Sequence, residues 1–395
     1  MNSEQRTVLV VGGGLAGWRA AEAAAAGGAS VMLVANGPGN SPDVHALNCP
    51  VRPDDSVGRF VADTLASGRG ANDRVLVEAM CRAAPALRDE FAFDRDPATG
   101  EILAIRPLGS SVPRCVSIGH AIGKVALAQI QARLRGRVAV ESRTLSAADL
   151  VAARAADPRL AIVLATGGWC GRYPFTTNPA YLRGDGLEMA KALGVCVRDV
   201  DEAHVQFEPT VRREGPRRGV PVITTLLHDG ARLFDARGDE IAEAPRLNKD
   251  ELSRAIRERG GVATYDLTAV PDASLAACRM DPGERRIAVA PAPHSSLGGV
   301  VIDAQCRALD AAGRPVPGLY AAGEVTAGVH GLNRLGGNGG TAALVFGAIA
   351  GRSAASYAAG GGAPALPECA AGGGTPALPE CAAGGGAPAL PEFLH

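Results

Sequence analysis

Short apolar runs ended by glycine alternate with stretches of helical spacing along the first part of the chain. Thr7–Val11 is a β-branched, apolar run stopped by three glycines, the pattern of a buried strand. Trp18 to Ala26 reads as a helix and Ser30–Ala35 as a second buried strand. Strand, glycine turn, helix and strand make a βαβ unit, which predicts an α/β fold with a doubly wound parallel sheet. From Asp55 to Leu134 the spacing is largely helical, interrupted near Gly100–Pro113. Further strands are expected at Arg137–Glu141, Arg159–Ala165, Gly299–Ile302 and Leu319–Ala322, with a helix from Thr341 to Tyr357. Between them, His204 to Ala290 is richer in charge and turn residues. The order predicts a domain inserted into another: residues 1–203 and 291–356 as one α/β domain, and 204–290 as an α+β cap.

Residues 357–395 repeat every twelve positions (AAGGGAPALPEC, AAGGGTPALPEC, AAGGGAPALPEF). So much glycine and proline with one leucine per repeat offers little to bury, so a disordered, linker-like tail is expected, with a partner-binding arm as the alternative.

Composition narrows the class. The 395 residues carry 40 Lys+Arg against 41 Asp+Glu, a formal net charge of −1, without the basic excess that tracks a phosphate backbone. No apolar run reaches the roughly 18 residues of a membrane span, and a strand starting at Thr7 leaves no room for a signal peptide. A cytoplasmic protein with no nucleic-acid or membrane partner is the expectation. The nine cysteines are scattered without a C-x-x-C, so neither a metal site nor a redox dithiol is expected.

The candidate chemistry begins at Gly12-Gly13-Gly14-Leu15-Ala16-Gly17, a G-x-G-x-x-G between a strand and a helix. Gly12 permits the tight turn, Gly14 lets backbone approach a pyrophosphate, and Gly17 lets the helix pack on the strand; the helix N-terminus favours phosphate. The acid that usually grips a ribose at the end of the second strand is absent. Ala35 stands there, followed by Asn36 as a weak substitute. Ala165-Thr166-Gly167 ends another strand, Asp185 opens a helix, and Gly323-Glu324 closes a third strand. In open parallel sheets ligands sit at that carboxyl edge.

Seven separated segments (GGGLAG, ATGG, TTNPAYLRGDGLEMAKALG, VQFEPT, APRLNKDELSRAI, PHSSLGGV and LYAAGEVTAGVHGLNRLGGNGG) occur in an order that resembles one family. It is the FAD-dependent group of fumarate reductase, succinate dehydrogenase flavoprotein and L-aspartate oxidase, with L-aspartate oxidase nearest. The resemblance implies FAD as cofactor, held by Gly12, Gly14, Leu15, Ala16, Gly17, Asn36, Ala165, Thr166, Gly167, Asp185, Gly323, Glu324, Asn338 and Gly339. It implies Arg246 as the group that moves a proton at the substrate carbon, and His294 with Arg334 as the clamp on a substrate carboxylate. A forked guanidinium suits a planar carboxylate. Taken alone, Arg334 also reads as a surface ion pair, but its place between glycines in a loop at the ligand edge favours the clamp; for His294 and Arg246 a structural role would be the better reading without the surrounding segments.

The departures from the family pattern bear on specificity. Glu208 stands where relatives carry a histidine, and Ile223 to Leu227 lacks the usual acid and arginine. Arg106–Ser110 carries no acid either. The family's helical C-terminal domain is not seen, the repeats following instead. Glu208 can bind an amino group, replace a relay carboxylate for Arg246, repel dicarboxylates, or simply face solvent. The expected activity is hydride transfer from a small carboxylate to FAD, with oxygen or another acceptor reoxidising it. Reduction of an activated alkene and a non-catalytic flavin-binding role are the alternatives.

Overall fold

In the computed structural model, residues 7–212, 219–222, 224–278 and 280–360 are described. Ile223 and nearly all of the repeats therefore lie outside the described residues.

A six-stranded sheet forms the main layer, in the order Arg307–Leu309, Pro315–Ala321, Ala161–Leu164, Thr7–Val11, Ser30–Ala35 and Ala139–Ser142. All neighbours run parallel except the first pair. Val8, Val10 and Ile162 are fully buried, which is why the central strands read as unbroken apolar runs. Of the strand expected at Gly299–Ile302, Gly299–Val300 forms, pairing with Val197–Arg198 in a two-stranded ribbon.

Helix Leu15–Ala26 packs along helix Asn338–Ala358. Added β-carbons at Gly347 and Gly351 would fall 2.6 Å from the Ala16 carbonyl and 2.2 Å from the Ala20 carbonyl. The alanine and glycine richness thus serves a backbone-to-backbone helix crossing that larger side chains would hold apart. The long helix carries residue 338 and its neighbours to the carboxyl edge of the sheet.

A second sheet is antiparallel, in the order Gly219–Pro221, Val205–Arg212, Arg286–Ser296, Ala263–Asp266 and Arg232–Asp235. It has its own apolar core, including Leu233, Leu252, Ile256, Tyr265 and Val289. The strand Arg286–Ser296 begins in this core and ends beside the main domain, where Ser296 meets Glu324. Helix Lys249–Glu258 starts on a capping box: Asn248 accepts hydrogen bonds from the Asp250 and Glu251 amides (3.1 and 3.0 Å), while Glu251 accepts from the Asn248 amide at 3.0 Å. Leu252, Ser253 and Ile256 are its buried residues, and Lys249 shares their face by i, i+3, i+4 and i+7 spacing.

Candidate active site

The dinucleotide cradle is built at the carboxyl edge of the parallel sheet. Gly12 has φ +123°, and a β-carbon there would lie 2.1 Å from the Ala165 carbonyl oxygen. A β-carbon on Gly17 would lie 1.9 Å from the Gly12 carbonyl. Gly14 caps the helix, and one on it would approach Ser41 Oγ to 2.8 Å. Ser41 Oγ also accepts the Leu15 amide at 2.8 Å. Gly323 has φ +83° and abuts Ala16 at 2.8 Å from its missing β-carbon. Thr166 and Gly167 close the cradle opposite, and Gly186, next to Asp185, leaves space for the Thr166 hydroxyl. Gly12, Gly14, Leu15, Ala16, Gly17, Ala165, Thr166, Gly167, Gly323 and the turn at Asp185 are therefore neighbours. Asp185 itself is exposed at the helix start.

Whether this cradle suits FAD is tested by its polar atoms. Thr166 Oγ1 is buried with no partner, at the lip where a bound dinucleotide would reach it, and buried polar atoms need partners. Two expected contacts are already occupied: Asn36 Nδ2 donates to Thr144 Oγ1 at 3.2 Å, on an exposed side chain, and Asn338 is fully buried. Its Oδ1 accepts from Asn48 and its Nδ2 donates to Thr64, at 2.7 and 3.1 Å. Asn338 fixes the helix start, while Gly339 leaves room for the Arg334 guanidinium, 2.3 Å from where its β-carbon would be. Glu324 accepts from the Ser296 amide at 3.0 Å and its hydroxyl at 3.2 Å. Burial raises its carboxyl above the usual range, those hydrogen bonds opposing.

Beside the cradle, three elements bring charged side chains together. Glu208 comes from strand Val205–Arg212, His294 from strand Arg286–Ser296 and Lys249 from the first turn of its helix. The register of the two strands slips between Pro293 and Ser295, so His294 is the extra residue of a β-bulge, a device that re-aims a side chain. Glu208 Oε1 takes Lys249 Nζ in a short ion pair, and its Oε2 lies 3.3 Å from His294 Nδ1. Thr177 Oγ1 is 2.9 Å from the same nitrogen, and Asn178 donates to the His294 carbonyl at 2.9 Å. Arg334 Nη2 donates to Ser295 Oγ at 3.1 Å. Gln206 holds the Arg334 carbonyl at 3.0 Å and Asn333 Oδ1 at 2.6 Å. Arg334 Nε is buried without a partner.

Burial works against the Glu208 carboxylate, but His294 once protonated, Lys249 and Arg334 outweigh it and hold the group below the usual carboxylate range. Burial pushes Lys249 down to about 8, opposed by Glu208 and reinforced by Arg334. Burial also pushes His294 down to about 3, against the pull of Glu208. Glu208 and His294 each depend on the charge of the other. The state that stands is an ionised Glu208 beside a neutral His294, because burial disfavours the imidazolium and Lys249 and Arg334 repel a third cation.

Acid stability follows from these directions. His294 titrates at 6.5 when unperturbed and about 3 here, so the unfolded chain binds a proton that the folded chain refuses. Glu208 does the same between 4.5 and about 2. Stability therefore falls as pH drops from 6.5 towards 3, and again below 4.5. A thermal melt series should show a falling midpoint over that range, and His294→Asn should flatten it between pH 6.5 and 4.5.

Arg246 makes none of the contacts within the cluster. It ends a short 3-10 turn before the helix, and its side chain is exposed with no hydrogen bond to the described residues. Lys249 is the cation that faces Glu208 instead. Glu208 is not a solvent-facing glutamate, since its side chain is only 14% exposed. His294 turns its Nδ1 towards Glu208 Oε2 and Thr177 Oγ1, and its Nε2 makes no hydrogen bond to the described residues. At the short turn, Thr224 is half-buried and Leu227 buried, His228 is exposed, and Arg232 is turned outward onto Glu240. Thr177, Asn178, Gln206 and Ser295 lie inside the family-like segments with no role read for them, whereas for Lys249 a local signal exists: Asn248-x-x-Glu251 places a helix start at residue 249.

The sheet, the glycine cradle and the charged cluster beside it define a flavin-dependent oxidoreductase. An FAD-binding domain family model matches residues 7–339, and the chain belongs to that family, in the branch that contains L-aspartate oxidase. It is 34% identical to L-aspartate oxidase of Caulobacter vibrioides, covering 90% of this chain and 77% of that one. It is 31% identical to the L-aspartate oxidase of Agrobacterium fabrum, covering 90% and 74%. Among solved structures, the fold matches a quinol fumarate reductase chain from E. coli with TM-score 0.77 at 23% identity, over 89% of this chain and 70% of that one. FAD is the cofactor. Among the described residues, no helix is long and apolar enough to cross a membrane.

Proposed function

We propose that the chain oxidises a small carboxylate whose acid group is received by Arg334, with residues 204–290 closing as a cap over the reacting carbon. FAD, when bound, supplies a two-electron hydride acceptor. The observation that carries the reading is the convergence of Arg334, Lys249, His294 and Glu208 next to the glycine cradle. Arg334 has an unpartnered buried Nε, and it is braced from below by Gln206 and Ser295. A guanidinium held this way positions a carboxylate, and with it the neighbouring C–H, at little entropic cost. Glu208 and the antiparallel sheet behind it exclude water from the same side. Oxygen or another soluble acceptor would restore the oxidised flavin, in the cytoplasm.

Charge sets the specificity. Arg334 and Lys249 are cations and Glu208 is an anion, leaving one net positive charge for a neutral His294. One carboxylate is matched and a second is not, because Thr224 offers a hydroxyl and Leu227 an apolar side chain. An unmatched carboxylate loses its hydration uncompensated. Free L-aspartate and succinate are therefore expected to be poor substrates beside acids with one carboxylate and a neutral or amine-bearing remainder. Anaerobic mixing of the FAD-loaded protein with a panel of amino, hydroxy and saturated mono- and dicarboxylates tests the reading. Bleaching of the oxidised flavin band by a monocarboxylate supports it. No bleaching by any acid refutes it, and L-aspartate turnover with an ordinary micromolar-to-millimolar KM refutes the specificity.

A further inference from the structure

We propose that Arg69 is a positioning residue: its ion pair with Asp250 clasps the cap onto the parallel-sheet domain and so holds Lys249 beside Arg334. The inference rests on the carboxylate-oxidising reading above and deepens it, because it names the contact that keeps the empty site closed before an acid arrives.

The sequence places the clasp at a helix stop. Helix Val57–Ser67 ends on Gly68-Arg69-Gly70. The Arg69 amide donates to the Ala66 carbonyl at 3.1 Å, and the Gly70 amide to the Leu65 carbonyl at 3.3 Å. Arg69 has φ +58°, the left-handed position at which helix stops ordinarily carry glycine, because a β-carbon is strained there. What the arginine supplies in return is a long charged side chain. Its Nη2 donates to Asp250 Oδ2 at 2.8 Å, with the two side chains 35% and 14% exposed. Asp250 also takes Arg254 Nη2 at 3.3 Å, within its own helix.

The same turn secures the loop that carries Arg334. The Gly68 carbonyl accepts the Leu332 amide at 3.1 Å, an approach so close that a β-carbon on Gly331 would fall 2.4 Å from that oxygen. Ser67 Oγ donates to the Asn333 carbonyl at 3.3 Å and accepts from Asn333 Nδ2 at 3.1 Å. Arg334 is the next residue. On the cap side, Asp250 follows Lys249 in the first turn of its helix, and the Lys249 ammonium feels the charge of Arg334. Three consecutive residues, Ser67 to Arg69, therefore fix both cations of the site, one from each domain.

The clasp grips the end of the helix that is free to swing. At the other end, Arg257 stacks over Phe207 at 3.5 Å and lies 3.7 Å from Glu202, where the chain passes from one domain to the other. About 10 Å of helix separates that anchored end from Asp250. An ion pair this exposed shifts an opening equilibrium by a modest factor, about 2–5-fold. An acid bound between Arg334 and Lys249 adds its own ties across the gap and closes the site without the clasp. The effect therefore falls on affinity, through the fraction of empty protein that is ready to bind, and not on the complex once formed.

Arg69→Asn tests the clasp, because asparagine tolerates the left-handed backbone and removes the ion pair. In FAD-loaded protein, the flavin absorption shift with pyruvate should need about 2–5-fold more acid, while its amplitude at saturation and the FAD content stay those of wild type. Asp250→Asn should give the same change and the double variant no more, since both remove one contact. Salt raised to about 1 M should close the gap between wild type and Arg69→Asn, because the pair is partly exposed. Unchanged affinity in Arg69→Asn, additive effects in the double variant, or a gap that survives salt overturns the clasp. A smaller saturating amplitude or lost FAD marks a merely structural role and overturns it too. Hydrogen exchange of residues 249–253 in the acid-free, FAD-loaded protein needs no ligand: it should be faster in Arg69→Asn than in wild type, and equal exchange overturns the clasp. No pyruvate shift in wild type contradicts the carboxylate reading instead, and the exchange measurement then decides the clasp by itself.

Discussion

Lys249→Met is expected to lower the rate of flavin reduction by about 10²–10³-fold, the loss typical of one preorganised charged group in a water-poor site, while Arg246→Ala stays within about twofold of wild type. The contrast arises from where the two side chains go. Lys249 Nζ sits on Glu208 Oε1, with side chains only 17% and 14% exposed, whereas Arg246 points to solvent. Removing Lys249 also strands the Glu208 carboxylate, and breaking a buried pair of this kind costs about 3–5 kcal/mol. The variant should therefore melt earlier yet still bind FAD, since no cradle residue is touched. Lys249→Arg keeps the charge and should recover stability more than rate, because a planar fork does not reproduce a point charge. Stopped-flow bleaching paired with thermal melts separates the two effects. A slow Arg246→Ala with a normal Lys249→Met would restore the arginine to the site.

Gly17→Val should yield colourless protein that takes up no FAD. Even a β-carbon at this position would lie 1.9 Å from the Gly12 carbonyl oxygen, and backbone cannot yield as a flexible side chain does. The helix would be pushed off the strand, opening the turn that the phosphates need. Gly12→Ala should act in the same direction, through a clash of 2.1 Å with Ala165 and a φ of +123° that only glycine adopts easily. Distortions this large lie at the high end of single-residue effects, about 4 kcal/mol or more. Equilibrium dialysis against FAD, with circular dichroism to confirm folding, gives the result. Full flavin content in both variants would show that the cradle does not hold the dinucleotide.

The parallel sheet was legible because its strands are buried on both faces and are punctuated by glycine: Thr7–Val11 and Ser30–Ala35 agree with their expected bounds. The long helix starts at Asn338 rather than Thr341, because Gly337 in a left-handed conformation caps it and three residues of the glycine loop join its first turn. The site was legible only in part. Glu208, His294 and Arg334 sit in motifs and converge. Arg246 is exposed without a side-chain hydrogen bond to the described residues, while the capping box two residues on starts the helix at Lys249, which meets Glu208. The proton state of His294 was out of reach of the sequence. It depends on a β-bulge and on a carboxylate 86 positions away in sequence, and no periodicity reports such a contact.

Binding of an acid at the Arg334 side of the cluster is read most directly by the shift a carboxylate induces in the absorption spectrum of the bound, oxidised flavin. Pyruvate titrated into FAD-loaded protein should give a saturable shift, and Arg334→Ala should weaken that binding by about 10–100-fold, the worth of one charge-assisted contact, with FAD content unchanged. Equal affinity in the two proteins, or no shift in either, would contradict the placement of the substrate carboxylate at Arg334.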